Sequence, residues 1–141
     1  MKPTAVLHVE DDPNDAFLFR HALGKAELPL EIQHVCNGQQ AIDYLSGKGD
    51  FSDRTQFPLP RLVLLDLKLP LLNGFEVLAW ARSHNEFQRL PVFVLSSSDL
   101  PEDVSEAKRL GADDFFVKTD TFDDVIQALK NVSAPRSGAG R

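Results

Sequence analysis

The sequence predicts an α/β fold: a doubly wound, mostly parallel five-stranded sheet built from (βα)5 units. Short apolar runs alternate with amphipathic helical patterns along the chain, the mark of successive βα units and hence of a mostly parallel sheet. Two of those runs, Leu62-Val63-Leu64-Leu65 and Val92-Phe93-Val94-Leu95, hold no polar residue, as strands covered on both faces require. The chain has 141 residues, 43% apolar and 26% charged, which fits one globular domain.

The first strand is placed at Ala5 to Glu10. A helix follows Asp12-Pro13, where Asp can cap and Pro suits a first turn, and it carries Ala16, Phe19, Ala22, Leu23 and Ala26 on one face. The second strand, Leu30 to Cys36, alternates only in part and suits an edge. Ala41, Ile42 and Leu45 mark a short helix. Strand three, Leu62 to Leu65, runs straight into Asp66 and is expected to be central. Strand four ends in Ser96-Ser97-Ser98, and strand five, Phe115 to Val117, ends in Lys118. The last helix keeps Phe122, Val125, Ile126, Leu129 and Val132 in register, with Thr121 as its expected cap.

Composition narrows the function. Fifteen Lys and Arg against 21 Asp and Glu leave a net charge of -6, the wrong sign for neutralising a phosphate backbone, so direct nucleic-acid binding is not expected. Cys36 stands alone, which excludes an intrachain disulfide and a Cys-based zinc site and suits a reducing compartment; a buried, small apolar role is expected for it. No apolar run reaches the roughly 18 to 20 residues of a bilayer span, and the N-terminal segment turns acidic before a signal-peptide core could form. A cytoplasmic location with no membrane contact is therefore expected. Residues 1–132 form the domain, and 133–141, SAPRSGAGR, read as a flexible C-terminal tail.

The polar residues fall at strand ends. Glu10, Asp11 and Asp12 close strand one, Asp66 strand three, Ser96 strand four and Lys118 strand five. In an open parallel sheet, ligands bind beyond the carboxyl ends of the strands where the winding reverses, and if the strand order is 2-1-3-4-5 that crevice lies between the two acid-bearing strands. Carboxylates about 5 Å apart repel by roughly 3 kcal/mol per pair at an effective dielectric near 20. A divalent cation is the natural compensation, and an all-oxygen donor set favours Mg²⁺. A carboxylate beside Mg²⁺, with a hydroxyl and a lysine nearby, is equipped to attack a phosphoryl group, with Asp66 as nucleophile.

Over about residues 3 to 132 the chain resembles the receiver domain of two-component response regulators. The resemblance rests on VEDD at 9–12, DLKLPLLNG at 66–74, the LSSS ending at 98 and DFFVK at 114–118. It implies a flavodoxin-like fold in which Asp66 accepts phosphate from a phosphohistidine on a sensor kinase. It also implies Asp11 and Asp66 as Mg²⁺ ligands with Glu10 nearby, the Lys68 backbone carbonyl as a further ligand, and Lys118 with Ser96 as catalytic residues beside Asp66. Ser96 and Phe115 take the switch positions: the hydroxyl turns toward the phosphoryl group and the aromatic ring rotates in behind it. Phosphorylation then acts as a local charge event read out by a bistable element that changes protein contacts. The partners implied are a sensor histidine kinase and a downstream protein. The long loop from about Gly47 to Arg61 resembles insertions in small stand-alone receivers paired with phytochrome-type kinases, and no output domain is expected. Whether the last helix supports a homodimer is left open.

The sequence departs from the family pattern in places. Lys118 precedes Thr119 instead of proline, Phe115 lacks a hydroxyl, and Ser97 stands where alanine is common. Asp12 reads as a helix cap only, Phe115 reads equally well as ordinary core, and the three serines leave the choice of hydroxyl open. His8, His21, His34 and His84 lack ligand spacing, Trp80 reads as packing, and the acids at 113, 114, 120, 123 and 124 read as a solvated face. Two rival functions stand beside the switch. A Mg²⁺-dependent phosphohydrolase also uses a strand-end aspartate, but it usually needs a second acid two residues on, where this chain has Lys68. A phosphorylation-independent interaction module would be expected to have lost part of the set Glu10, Asp11, Asp66, Ser96 and Lys118. The sequence therefore reads as a signalling switch, not an enzyme in the ordinary sense.

Overall fold

The structure, a computed structural model, describes residues 3–119 and 121–133. Five strands, β1 (Thr4–Val9), β2 (Leu30–Val35), β3 (Leu62–Leu65), β4 (Val92–Ser96) and β5 (Asp114–Val117), alternate with five helices, α1 (Pro13–Ala26), α2 (Gly38–Ser46), α3 (Gly74–Arg82), α4 (Pro101–Arg109) and α5 (Asp123–Ser133). The sheet is parallel in the order β2-β1-β3-β4-β5. The expected topology is therefore observed, with strand limits within one residue of those read from the pattern. The expected 133–141 tail lies, beyond its first residue, outside the described residues. No described helix is long and apolar enough to cross a membrane.

Alternation along the strands builds two cores. Leu7, Val9, Val63 and Leu65 face one side, where Ala41, Tyr44 and Leu45 of α2 and Val77, Leu78 and Ala81 of α3 cover them. Val6, Leu62 and Leu64 face the other, against Phe19 and Leu23 of α1 and Val125, Ile126 and Leu129 of α5. β3 is buried at every position, as its unbroken apolar run required. β2 is an edge strand and only half-buried over most of its length.

Local chemistry fixes the helix ends. Asp12 caps α1 by accepting the Asn14 N–H at 2.9 Å, with Pro13 in the first turn. Asn73 and Glu76 form a reciprocal capping box at the start of α3, which satisfies two otherwise orphaned donors. The end of α5 nearest the site differs from expectation. The helix begins at Asp123, two residues beyond Thr121; Phe122 precedes it with φ of 56°, and its N–H donates to the Thr119 hydroxyl at 3.0 Å. Thr119, not Thr121, supplies the hydroxyl that orders this turn. The Lys118–Thr119 peptide is trans, like all others described.

Two further expectations are corrected. Cys36 is exposed, because β2 stops at Val35 and the chain turns there into α2. Val132, which the pattern sets on the apolar face of α5, is 38% exposed. Asp113 is exposed, as its solvated reading expects, and it also pairs with Arg82 at 3.1 Å and accepts the Val92 N–H at 2.8 Å. The 47–61 loop is tied down from within: Phe51 and Phe57 pack against the Tyr44 ring, and Arg54 donates to the carbonyls of Tyr44, Leu45 and Phe57.

Candidate functional site

Strand register brings the acids together. Val9 pairs with Leu65, so the next residues, Glu10 and Asp66, leave adjacent strands side by side, and the Asp66 N–H donates to the Val9 carbonyl at 3.2 Å. Ligand oxygens of Glu10, Asp11 and Asp66 all lie within 4.8 Å of one another. Glu10 and Asp66 are buried and Asp11 is exposed, so the cluster has a dry floor and a wet mouth. Lys118 leaves β5 beside the fully buried Ser96, whose carbonyl accepts its N–H at 2.8 Å.

The Lys118 ammonium closes the cluster. Its Nζ lies 2.6 Å from Glu10 Oε1, 2.9 Å from Asp66 Oδ2 and 3.0 Å from Asp15 Oδ2. Burial works against a charge on Lys118, but the contacts it donates to Glu10 and Asp66 outweigh it and hold its pKa above the ordinary lysine range. Burial, reinforced by the neighbouring Asp66 charge, pushes Glu10 up to about 7 against the opposing pull of Lys118. One ammonium thus stands against Glu10, Asp11, Asp15 and Asp66. The excess negative charge and the hard all-oxygen donors fit a divalent cation held by Glu10, Asp11 and Asp66.

Asp15 was not among the residues read from the sequence. It belongs to the first turn of α1, and helical side chains tilt toward the N-terminus, which carries its carboxylate back over the strand ends. An acid one turn into a helix that starts directly after an acidic strand end was the available signal.

The remaining positions fall as follows. The Lys68 N–H donates to Asp66 Oδ1 at 3.3 Å, and its side chain is exposed. Ser96 Oγ accepts the Ser98 N–H at 3.2 Å. Ser98 instead serves α4, donating to Asp103 Oδ2 at 2.6 Å, and Ser97 is exposed. Phe115 is half-buried against the small cluster of Leu67, Val94 and Ala107. Gly74 explains the last letter of the 66–74 motif: a Cβ there would lie 2.2 Å from the Asp66 carbonyl oxygen and 2.7 Å from Leu67 Cα. The start of α3 can press on the Asp66 segment only without a side chain. None of the four histidines joins the acid cluster. His34 Nε2 bonds the Glu10 carbonyl oxygen at 2.8 Å, while His8 is buried against Phe19 and His34, and burial lowers its pKa to about 3.

A family model described as "Response regulator receiver domain" matches residues 6–130. Among curated proteins the chain is similar to the response regulator Rcp1 of Synechocystis sp., 29% identical over 132 residues, covering 94% of this chain and 88% of that one; a Mn(2+)-bound form of Rcp1 is similar in structure with a TM-score of 0.78. The bacteriophytochrome response regulator AtBRR is 33% identical with a TM-score of 0.82, covering 97% of each chain. The phosphorylated cyanobacterial phytochrome response regulator RcpA is 32% identical with a TM-score of 0.79, covering 92% of this chain and 91% of that one.

Proposed function

The chain belongs to the response regulator receiver domain family, and from that premise we propose that it works as a phosphorylation-driven switch with Asp66 as phosphoacceptor. The observation that carries this reading is the meeting of Asp66 with Lys118 and with the Glu10–Asp11 pair, three segments remote in the chain. A carboxylate oxygen of Asp66 attacks phosphorus, the P–N bond to the donor's phosphohistidine breaks, and its electron pair stays on the imidazole nitrogen. Asp66 becomes an acyl phosphate.

Each neighbour has a part. Lys118 gives an N–H to a phosphoryl oxygen and neutralises charge there. Asp11, Asp66 and the Lys68 carbonyl, with Glu10 beside them, would hold Mg²⁺. When bound, that ion offsets the negative charge of the phosphoryl oxygens and of the acids themselves. Ser96 turns its hydroxyl toward the new phosphoryl group, giving up the Ser98 N–H, and Phe115 follows inward by ring packing alone. The resulting change in the surface around α4, β5 and α5 alters the choice of protein partner.

The donor is a sensor histidine kinase, and the likeness to AtBRR and RcpA favours a phytochrome-type one; a cytoplasmic location is part of the same proposal. Receiver domains are switches, and hydrolysis of the acyl phosphate resets this one. Incubation with acetyl phosphate and Mg²⁺ followed by intact mass tests the reading. One phosphoryl adduct, lost in EDTA and in Asp66→Asn, is expected; no adduct on the wild type, or an equal adduct on Asp66→Asn, overturns it. Sustained release of product from phosphate esters would favour the hydrolase instead.

A further inference from the structure

The Lys118 ammonium has three N–H donors, and three carboxylates lie within reach of them: Glu10 at 2.6 Å, Asp66 at 2.9 Å and Asp15 at 3.0 Å. Three carboxylates thus compete with an incoming phosphoryl oxygen for that ammonium. Modification of Asp66 itself changes that contact, and the two partners that stay carboxylates, Glu10 and Asp15, differ in how easily they yield to a phosphoryl oxygen. Glu10 and Asp66 are fixed at the ends of paired central strands, and their side chains are 2% and 8% exposed. Asp15 sits on a helix, makes the longest of the three contacts, and its side chain is 32% exposed, so water can take over its hydrogen bonds at small cost.

We propose that Asp15 is a displaceable restraint on Lys118: it holds the ammonium toward α1 in the unphosphorylated protein and is exchanged for a phosphoryl oxygen when Asp66 is modified. The proposal rests on Asp66 being the phosphoacceptor. It makes Asp15 a positioning residue, acting through Lys118. It also ties the event at Asp66 to the α1–α5 side of the molecule, because Asp15 and Lys118 share the lining of a cavity of about 380 Å³ with Leu18, Thr119 and Phe122. The added negative charge of Asp15 opposes an incoming phosphoryl group as well, so restraint and repulsion act in the same direction.

The test measures the affinity of full-length wild type, Asp15→Asn, Asp15→Ser and Asp15→Glu for beryllium fluoride at fixed Mg²⁺, at low and high salt, beside a thermal melt of each. Wild-type binding that vanishes in Asp66→Asn establishes the underlying reading separately; its absence overturns that reading and this one together. With wild-type binding in hand, Asp15→Asn and Asp15→Ser are expected to bind about fivefold tighter, the size of one weak, partly exposed ion pair. The gain should shrink in high salt, and Asp15→Glu should remain near wild type. A merely structural role would lower the melting temperature without producing a salt-dependent gain in affinity. Unchanged or weaker binding by the two uncharged variants overturns the proposal.

Discussion

Lys118 Nζ lies 2.9 Å from Asp66 Oδ2 across 52 residues of chain. That contact exists only because β5 and β3 end at the same edge of one parallel sheet, each flanking β4. The same ammonium answers Glu10 from β1, so a single cation organises acids from both sides of the crevice where the winding reverses.

Removing that cation leaves buried carboxylates uncompensated. Lys118→Met is expected to destabilise the metal-free protein by about 3 kcal/mol. Mg²⁺ at a hundred times its dissociation constant should return about 2.7 kcal/mol of stability. Urea melts with EDTA and with Mg²⁺ check both halves. A Lys118→Met protein as stable as wild type in EDTA would mean that the acids do not need the lysine.

Gly74 holds the loop beneath Asp66. A methyl group there meets backbone, not a flexible side chain, so Gly74→Ala is expected to cost about 3 kcal/mol and to slow phosphorylation by acetyl phosphate at temperatures where the variant is still folded. Equal rates and equal melts would show that the loop has room to shift.

Tyr44 reports on the 47–61 loop. Its hydroxyl donates to the Pro58 carbonyl at 2.8 Å, and burial raises its pKa from 10 to about 12. A neutral phenol favoured by folding contributes stability that is fully present below pH 10 and is lost as pH rises toward 12. The loss at the upper limit is about 3 kcal/mol. Denaturant melts from pH 8 to 11 should show the early part of this decline in wild type and a flatter profile in Tyr44→Phe. Parallel profiles would place the alkaline loss elsewhere.

Much of this arrangement was legible in the chain. The unbroken run at Leu62 to Leu65 identified a central strand, and polar residues immediately after apolar runs identified the strand ends where the site forms. What escaped depended on tertiary placement. Asp15 looks like any first-turn acid until the tilt of α1 carries it to Lys118. Cys36 closes the partly alternating pattern of the second strand yet falls after the last paired residue of β2. Thr121 has the residue type of a cap, but the left-handed turn at Phe122 delays the helix to Asp123 and hands the ordering contact to Thr119. The register that sets Glu10 beside Asp66 is a pairing between segments more than fifty residues apart, which local periodicity does not encode.

The most direct test locates the phosphoryl group chemically. After acetyl phosphate and Mg²⁺, borohydride reduces an aspartyl phosphate to homoserine, and tandem mass spectrometry of the digest then reads its position. Homoserine at position 66 and nowhere else is the expected result. Homoserine at position 11 or 15, or none in a sample whose intact mass shows the adduct, would contradict the assignment of Asp66 as the acceptor.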